Sequence, residues 1–176
     1  MKIAAYQAPL LAAGSIDALD LIRTRVKQCE AEGVSILCCP EAILGGLADY
    51  SGDPTRFAIA ADSGRLDSVL APLASDSVTT IVGFTELAGG GRLYNSAAVF
   101  QRGSVAGLYR KLYPAINRSV YEAGREVPVF QFGELTLGIV ICNDSNYFEP
   151  ARLMAARISD FPRNCPQGLA ITGCKQ

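Results

Sequence analysis

Glu41, Lys111 and Cys142 are three side chains whose types could together move an acyl group. A cysteine sulfur attacks a carbonyl or nitrile carbon. A carboxylate takes the thiol proton, hands it to the leaving amine and later activates water. An ammonium, with the backbone N–H of Asn143 just after the nucleophile, can stabilise the oxyanion. The chain contains no histidine, so a Cys-His hydrolase and a Ser-His-Asp triad are both excluded. A base serving Cys142 is therefore a carboxylate or an amine. Taken singly, each residue has an ordinary reading: Cys142 as a small buried hydrophobe, Glu41 as a loop or helix-start charge, Lys111 as a solvated cation beside Arg110.

The elements that carry these residues argue for more. Leu135 to Ile141 is a short apolar run rich in β-branched residues, which reads as a buried strand ending at Cys142. Asp144, Ser145 and Asn146 are natural N-cap residues, and Pro150 suits a first helical turn. This places Cys142 where a strand ends and a helix begins, beside N–H groups that favour a thiolate. Val34 to Cys39 reads as a strand, with Pro40 ending it and Glu41 at its C-terminal edge, where open α/β sheets carry their ligands. Val105 to Lys111 is a further strand, with Lys111 at its end. Strand ends can be gathered on one sheet edge, so three distant residues can meet.

The remaining pattern fits one α/β domain. Lys2 to Gln7 reads as a first strand and Ser15 caps a helix to about Glu32, closed by Gly33. Its spaced Ile16, Leu19, Ile22, Val26 and Cys29 form one buried face. Strand, helix, strand in this order is a βαβ unit with parallel neighbours. Residues 42–64 read as loop with one helical piece. A second helix starts at Arg65 and is kinked or ended by Pro72. Thr79 to Phe84 and Tyr94 to Gln101 pair across Gly89-Gly90-Gly91, and Val129 to Phe132 pairs with Leu135 to Ile141 across Gly133-Glu134. Leu112 to Val127 reads as a polar loop. The triple glycine lacks the Lys-Ser/Thr of a phosphate loop.

Composition excludes several classes. The chain has 176 residues, 49% hydrophobic, with a net charge of −1. It is long enough for one substantial core, and no basic block offers itself to nucleic acid or an anionic membrane. The apolar runs are far short of a membrane span. Gln7 and Pro9 break the apolar start, so a cytoplasmic protein without a signal peptide is expected. The six cysteines include no CxxC pair. Cys38 and Cys39 read as core fillers, a zinc site would need scattered thiols without histidine, and no resolving cysteine lies close in sequence to Cys142 for redox work.

Several separate motifs in register resemble the carbon–nitrogen hydrolases, the nitrilase and amidase superfamily: KIAAYQAP at the start, CCPEAILGG around Glu41, GRLYNSAAVF, YRKLYP around Lys111, and GIVICNDSNYFEPARLMAA around Cys142. The resemblance implies an α/β fold, the αββα sandwich of the nitrilase type, here incomplete. It implies hydrolysis of a non-peptide C–N bond in a small amide, carbamoyl compound or nitrile through a cysteine thioester, with no metal and no cofactor. It implies Glu41 as general base, Lys111 as transition-state stabiliser and Cys142 as nucleophile. YNSAAVF is expected to be core only. Many members carry a second glutamate in the loop after the lysine. Asn117 falls at that position here, and Glu122 is the nearest carboxylate. Members often form homo-oligomers.

The resemblance covers residues 1–156, which form the N-terminal portion of the hydrolase domain, and residues 157–176 make an atypical tail. The abrupt change at Arg157 leads to the expectation of a frame-shifted or alternatively read end of a longer hydrolase, leaving the cysteine strand with an open edge. Cys165 and Cys174 are expected to be incidental. Two functional readings stay open: a hydrolase, and a catalytically inactive truncated homologue acting at most as a binding or interaction module.

Overall fold

The computed structural model describes residues 1–15, 17–61, 64–115, 117–159 and 169–173. Strand β1 (Ile3–Ala5) leads into helix α1 (Asp17–Glu32) and back to β2 (Ile36–Cys38). The Ser15 hydroxyl accepts the Asp17 N–H at 3.2 Å, and Gly33 ends the helix at φ +65°, a conformation that costs glycine least. Ala18, Ile22, Val26 and Cys29 are buried along one side. Ile16, expected on that face, lies outside the described residues, as do Cys165 and Cys174.

A two-residue strand, β3 (Ile59–Ala60), and a short helix, α2 (Arg65–Leu70), follow. A 3₁₀ turn over Ala71–Leu73 takes the chain past Pro72, whose missing N–H cannot continue an α-helix. Three long strands complete the first sheet: β4 (Thr79–Ala88), β5 (Arg92–Gln101) and β6 (Ser104–Arg110). The order is β1-β2-β4-β5-β6, with β3 also pairing β4. β1, β2 and β4 run parallel, as the βαβ reading requires, while β5 and β6 are antiparallel.

The period of two sorts these strands onto two cores. Leu37, Val82, Phe84, Ala98 and Phe100 face α1 and α2. Ile36, Cys38, Ile81, Ala97, Val99 and Tyr109 face a second sheet. That sheet is built from β7 (Val129–Phe132), β8 (Leu135–Ile141) and β9 (Leu169–Gly173). Helix α3 (Phe148–Ser159) covers its outer side, with Met154 against Gly138. The result is helices, sheet, sheet, helix. This is the expected α/β sandwich with a mixed sheet.

Two expectations are corrected. The cysteine strand does not have an open edge on the side away from β7: β9 pairs with β8 in parallel, from Leu137↔Leu169 to Ile141↔Gly173. A row of unpaired N–H and C=O groups is a strong template for a further strand. Cys142 also does not sit at the N-terminus of an α-helix. It opens a 3₁₀ turn, Cys142–Asn146, and α3 begins only at Phe148. Among the described residues no helix is long and apolar enough to cross a membrane.

Candidate active site

The first sheet presents one polar row at its edge. Thr85 pairs with Asn95 across β4 and β5, and the Asn95 carbonyl accepts the Lys111 N–H at 2.8 Å just beyond β6. These positions alternate with Tyr94, Ser96 and Arg110, so they share the face that turns toward the second sheet. Glu41 arrives over this row from the end of β2. The segment Pro40–Ala42 lies so close to Gly83 that a Cβ there would strike the Pro40 carbonyl and the Ala42 nitrogen. Leu44 N–H then donates to the Gly83 carbonyl at 3.1 Å. A glycine on β4 thus lets the Glu41 segment lie directly on the sheet.

There Glu41 and Lys111 meet. Lys111 Nζ donates to Glu41 Oε1 at 2.5 Å, and the two side chains are 3% and 4% exposed. Asn95 Nδ2 donates to the same oxygen at 2.8 Å. YNSAAVF is buried as expected, but one of its members, Asn95, is hydrogen-bonded to the Glu41–Lys111 pair. The available signal was its polarity at a position whose same-face neighbours, Ala97 and Val99, are core. The cleft around the three is walled by Leu47, Tyr50, Pro114 and Tyr121.

Two hydrogen-bond clasps hold those walls. Tyr121 Oη accepts the Ala48 N–H at 2.7 Å and lies 2.7 Å from Thr85 Oγ1. The Asp49 carboxylate accepts the Ser119 hydroxyl at 2.8 Å and the Val120 N–H at 2.8 Å.

Asp144 ties the turn that carries Cys142 to the segment just after Lys111. Asp144 is fully buried. It accepts the Tyr109 hydroxyl at 2.6 Å, the Tyr113 N–H at 2.8 Å and the Ile141 N–H at 3.1 Å. The Asn143 side chain donates to the Tyr113 carbonyl at 3.2 Å, and Tyr113 stacks on Tyr147 at 4.0 Å. The segment just after Lys111 is thereby stitched to the turn that carries Cys142. Cys142 is half-buried and packs against the second core. Burial pushes the Asp144 carboxyl above the ordinary carboxylate range. The bonds from Tyr109, Tyr113 and Ile141 and the Lys111 charge pull the other way.

Two of the four described non-glycine residues with positive φ are Ala42 and Cys142. Cys142 sits at φ +44° and Ala42, next to Glu41, at φ +48°. Non-glycine residues adopt such values at a cost of about 1–3 kcal/mol, and they cluster at active sites. By contrast Cys38 and Cys39 are buried in the cores, as expected. Burial pushes the Cys38 thiol up to about 12, so neither is a ready nucleophile.

Glu122 is not brought to the pair. It is exposed, and its carboxylate accepts the Tyr94 hydroxyl at 3.2 Å, on the other face of β5 from Asn95. Asn117 is also exposed. The buried carboxylate on that other face is Glu86, which takes Arg110 in a two-nitrogen grip at 2.9 and 2.5 Å and the Ser96 hydroxyl at 2.6 Å. Among the described residues no cluster of histidine, cysteine or carboxylate could hold a metal.

The carbon-nitrogen hydrolase family pattern matches residues 2–169. A nitrilase from Pyrococcus abyssi is 27% identical over 139 residues, 77% of this chain and 53% of the nitrilase. The fold is similar to an amidase from Nesterenkonia sp., with a TM-score of 0.74, 20% identity, and coverage of 98% of this chain and 64% of that one. It is also similar to a glutamine-dependent NAD+ synthetase from Acinetobacter baumannii, with a TM-score of 0.69, 20% identity, and coverage of 91% of this chain and 30% of the synthetase. The chain thus spans about half the length of its curated relative. With a family match running through the Glu41, Lys111 and Cys142 segments alike, the chain belongs to the carbon-nitrogen hydrolase family.

Proposed function

We propose that this chain hydrolyses a non-peptide C–N bond in a small amide or related compound through a thioester on Cys142. The observation that carries the reading is the Glu41–Lys111 pair, buried to within a few per cent and joined by Asn95 in a cleft. Burying two opposite charges is a poor route to stability, because desolvation offsets most of the attraction. A pair kept in a cleft at that cost is suited to handling charge in a reaction.

In the proposed cycle Glu41 takes the thiol proton as the Cys142 sulfur attacks the carbonyl carbon. Lys111 and the Asn143 N–H stabilise the oxyanion. The intermediate collapses, the C–N bond breaks, and Glu41 returns the proton to the departing amine. Glu41 then takes a proton from water, which attacks the thioester. Collapse releases the acid and gives the proton back to sulfur. Variants of the Nesterenkonia amidase have been solved in complex with butyramide and with acrylamide added at the active site cysteine. The adduct supports a reactive cysteine and the butyramide complex supports a short acyl group, each in that amidase.

The test compares wild type with Cys142→Ala. Ammonia release from propionamide, butyramide and the matching nitriles is measured beside intact-mass labelling with iodoacetamide. The expected result is turnover and one fast-labelling thiol in the wild type, both lost in a variant that melts at a similar temperature. Full turnover in Cys142→Ala would sink the proposal. A wild type without turnover whose thiols all label alike would instead favour an inactive homologue that acts as a binding or interaction module.

A further inference from the structure

We propose that Asn95 is the positioning residue for Glu41, selecting the carboxylate oxygen that faces Lys111 and the one left to handle protons. The inference rests on the acyl-transfer reading above. Asn95 stands opposite Lys111, and its main-chain carbonyl accepts the Lys111 N–H at 2.8 Å. Both side chains then converge on one atom, Glu41 Oε1, at 2.8 and 2.5 Å. One residue therefore holds the cation by its backbone and the base by its side chain.

The amide orientation follows from chemistry. An ionised carboxylate only accepts, so Asn95 must face it with nitrogen. That leaves Asn95 Oδ1 buried with no hydrogen-bond partner among the described residues, in a residue 2% exposed that lines the cleft. A buried carbonyl without a donor is costly. A valine would fill this strand position without that cost, so packing does not explain the amide. Its N–H on Oε1 does. Two donors on one oxygen fix the plane of the carboxylate and leave Oε2 as the oxygen for proton transfer.

The test uses Asn95→Ala and Asn95→Asp, with Tyr94→Phe as the control from the opposite face of β5. Two pH profiles are measured: amide turnover, and the rate of iodoacetamide alkylation of Cys142, which needs no substrate. In Asn95→Ala kcat should fall roughly 10- to 100-fold with KM nearly unchanged. The acid limb of both profiles should move to higher pH, because the charged carboxylate has lost a donor. Asn95→Asp should move it further, since a second carboxylate replaces that donor. Tyr94→Phe should leave both limbs in place. If Asn95→Ala melts below the assay temperature, Asn95→Ser gives the same two readings.

An acid limb unmoved in the Asn95 variants, or moved equally in Tyr94→Phe, overturns the proposal. Failure of the underlying reading looks different: Glu41→Gln would then retain wild-type turnover.

Discussion

Asp144 is the residue on which the cysteine turn depends. Its carboxylate gathers three donors from three segments: Tyr109 on β6, Tyr113 in the following loop and Ile141 at the end of β8. Burial still outweighs them and raises its proton affinity. An acid whose folded value lies above its unfolded one stabilises the fold fully below the unfolded value, 3.8. That share is lost as pH rises through the folded value. Urea unfolding of the wild type should therefore show a component that declines as pH rises from about 4. In Asp144→Asn that component should vanish. The variant should also be about 1–3 kcal/mol less stable at neutral pH, because an NH2 group cannot serve all the donors. An unchanged pH slope would mean that another group titrates in this window.

At the scale of elements, two glycines set how closely segments approach, and they should differ in tolerance. A Cβ at Gly83 would meet backbone atoms of Pro40 and Ala42, which cannot move without shifting Glu41. Gly83→Ala should cost about 3 kcal/mol, visible as a clear fall in melting temperature, and should abolish turnover. A Cβ at Gly138 would meet the Met154 side chain, a flexible thioether that can swing aside. Gly138→Ala should cost about 1 kcal/mol and leave the site assembled. Equal losses in the two variants would show that the Glu41 segment adapts to β4 more readily than its backbone contacts allow. Most elements were legible beforehand. Alternation and turn glycines placed the hairpins, and Pro72 ended α2 where a missing N–H must end it. The polar turn after Cys142 was legible, and the role of Asp144 within it was not. Asp144 has the composition of an N-cap, yet it spends its carboxylate on Tyr109, Tyr113 and Ile141, and tertiary partners decide such competitions.

At the scale of the molecule, β8 is the central strand of its sheet, between β7 and β9. A deletion that ends the chain at Ser159 removes β9 and bares the edge of the strand that carries Cys142. Open edges invite association. Such a variant should elute as large species in size-exclusion chromatography, and its Cys142 labelling should slow to that of an unactivated thiol. A monodisperse variant with fast labelling would show that β9 is dispensable. The outer helix presents Phe148 at 81% exposure and Leu153 at 51%. Single exposed apolar residues are ordinary, so the β8 edge is the first place to look for association.

By itself the sequence determined the chemistry available to this protein and the order of its elements. With no histidine, the base for a cysteine had to be a carboxylate or an amine. The apolar periods of two and of three to four had to give strands and helices in the βαβ order observed. These are local properties, carried by residue type and by spacing along the chain. Only the tertiary structure decided which polar residues meet. Asn95 and Glu122 are both polar side chains near β5, yet strand alternation sends Asn95 to Glu41 and a neighbouring position sends Tyr94 to Glu122. Glu41 reaches Lys111 from 70 residues away because Gly83 leaves room for its backbone on β4. Parallel pairing of Leu169–Gly173 with β8 depends on an edge that exists only once the sheet has formed. Register, close approach and edge availability belong to the folded chain, and spacing along the sequence does not encode them one by one.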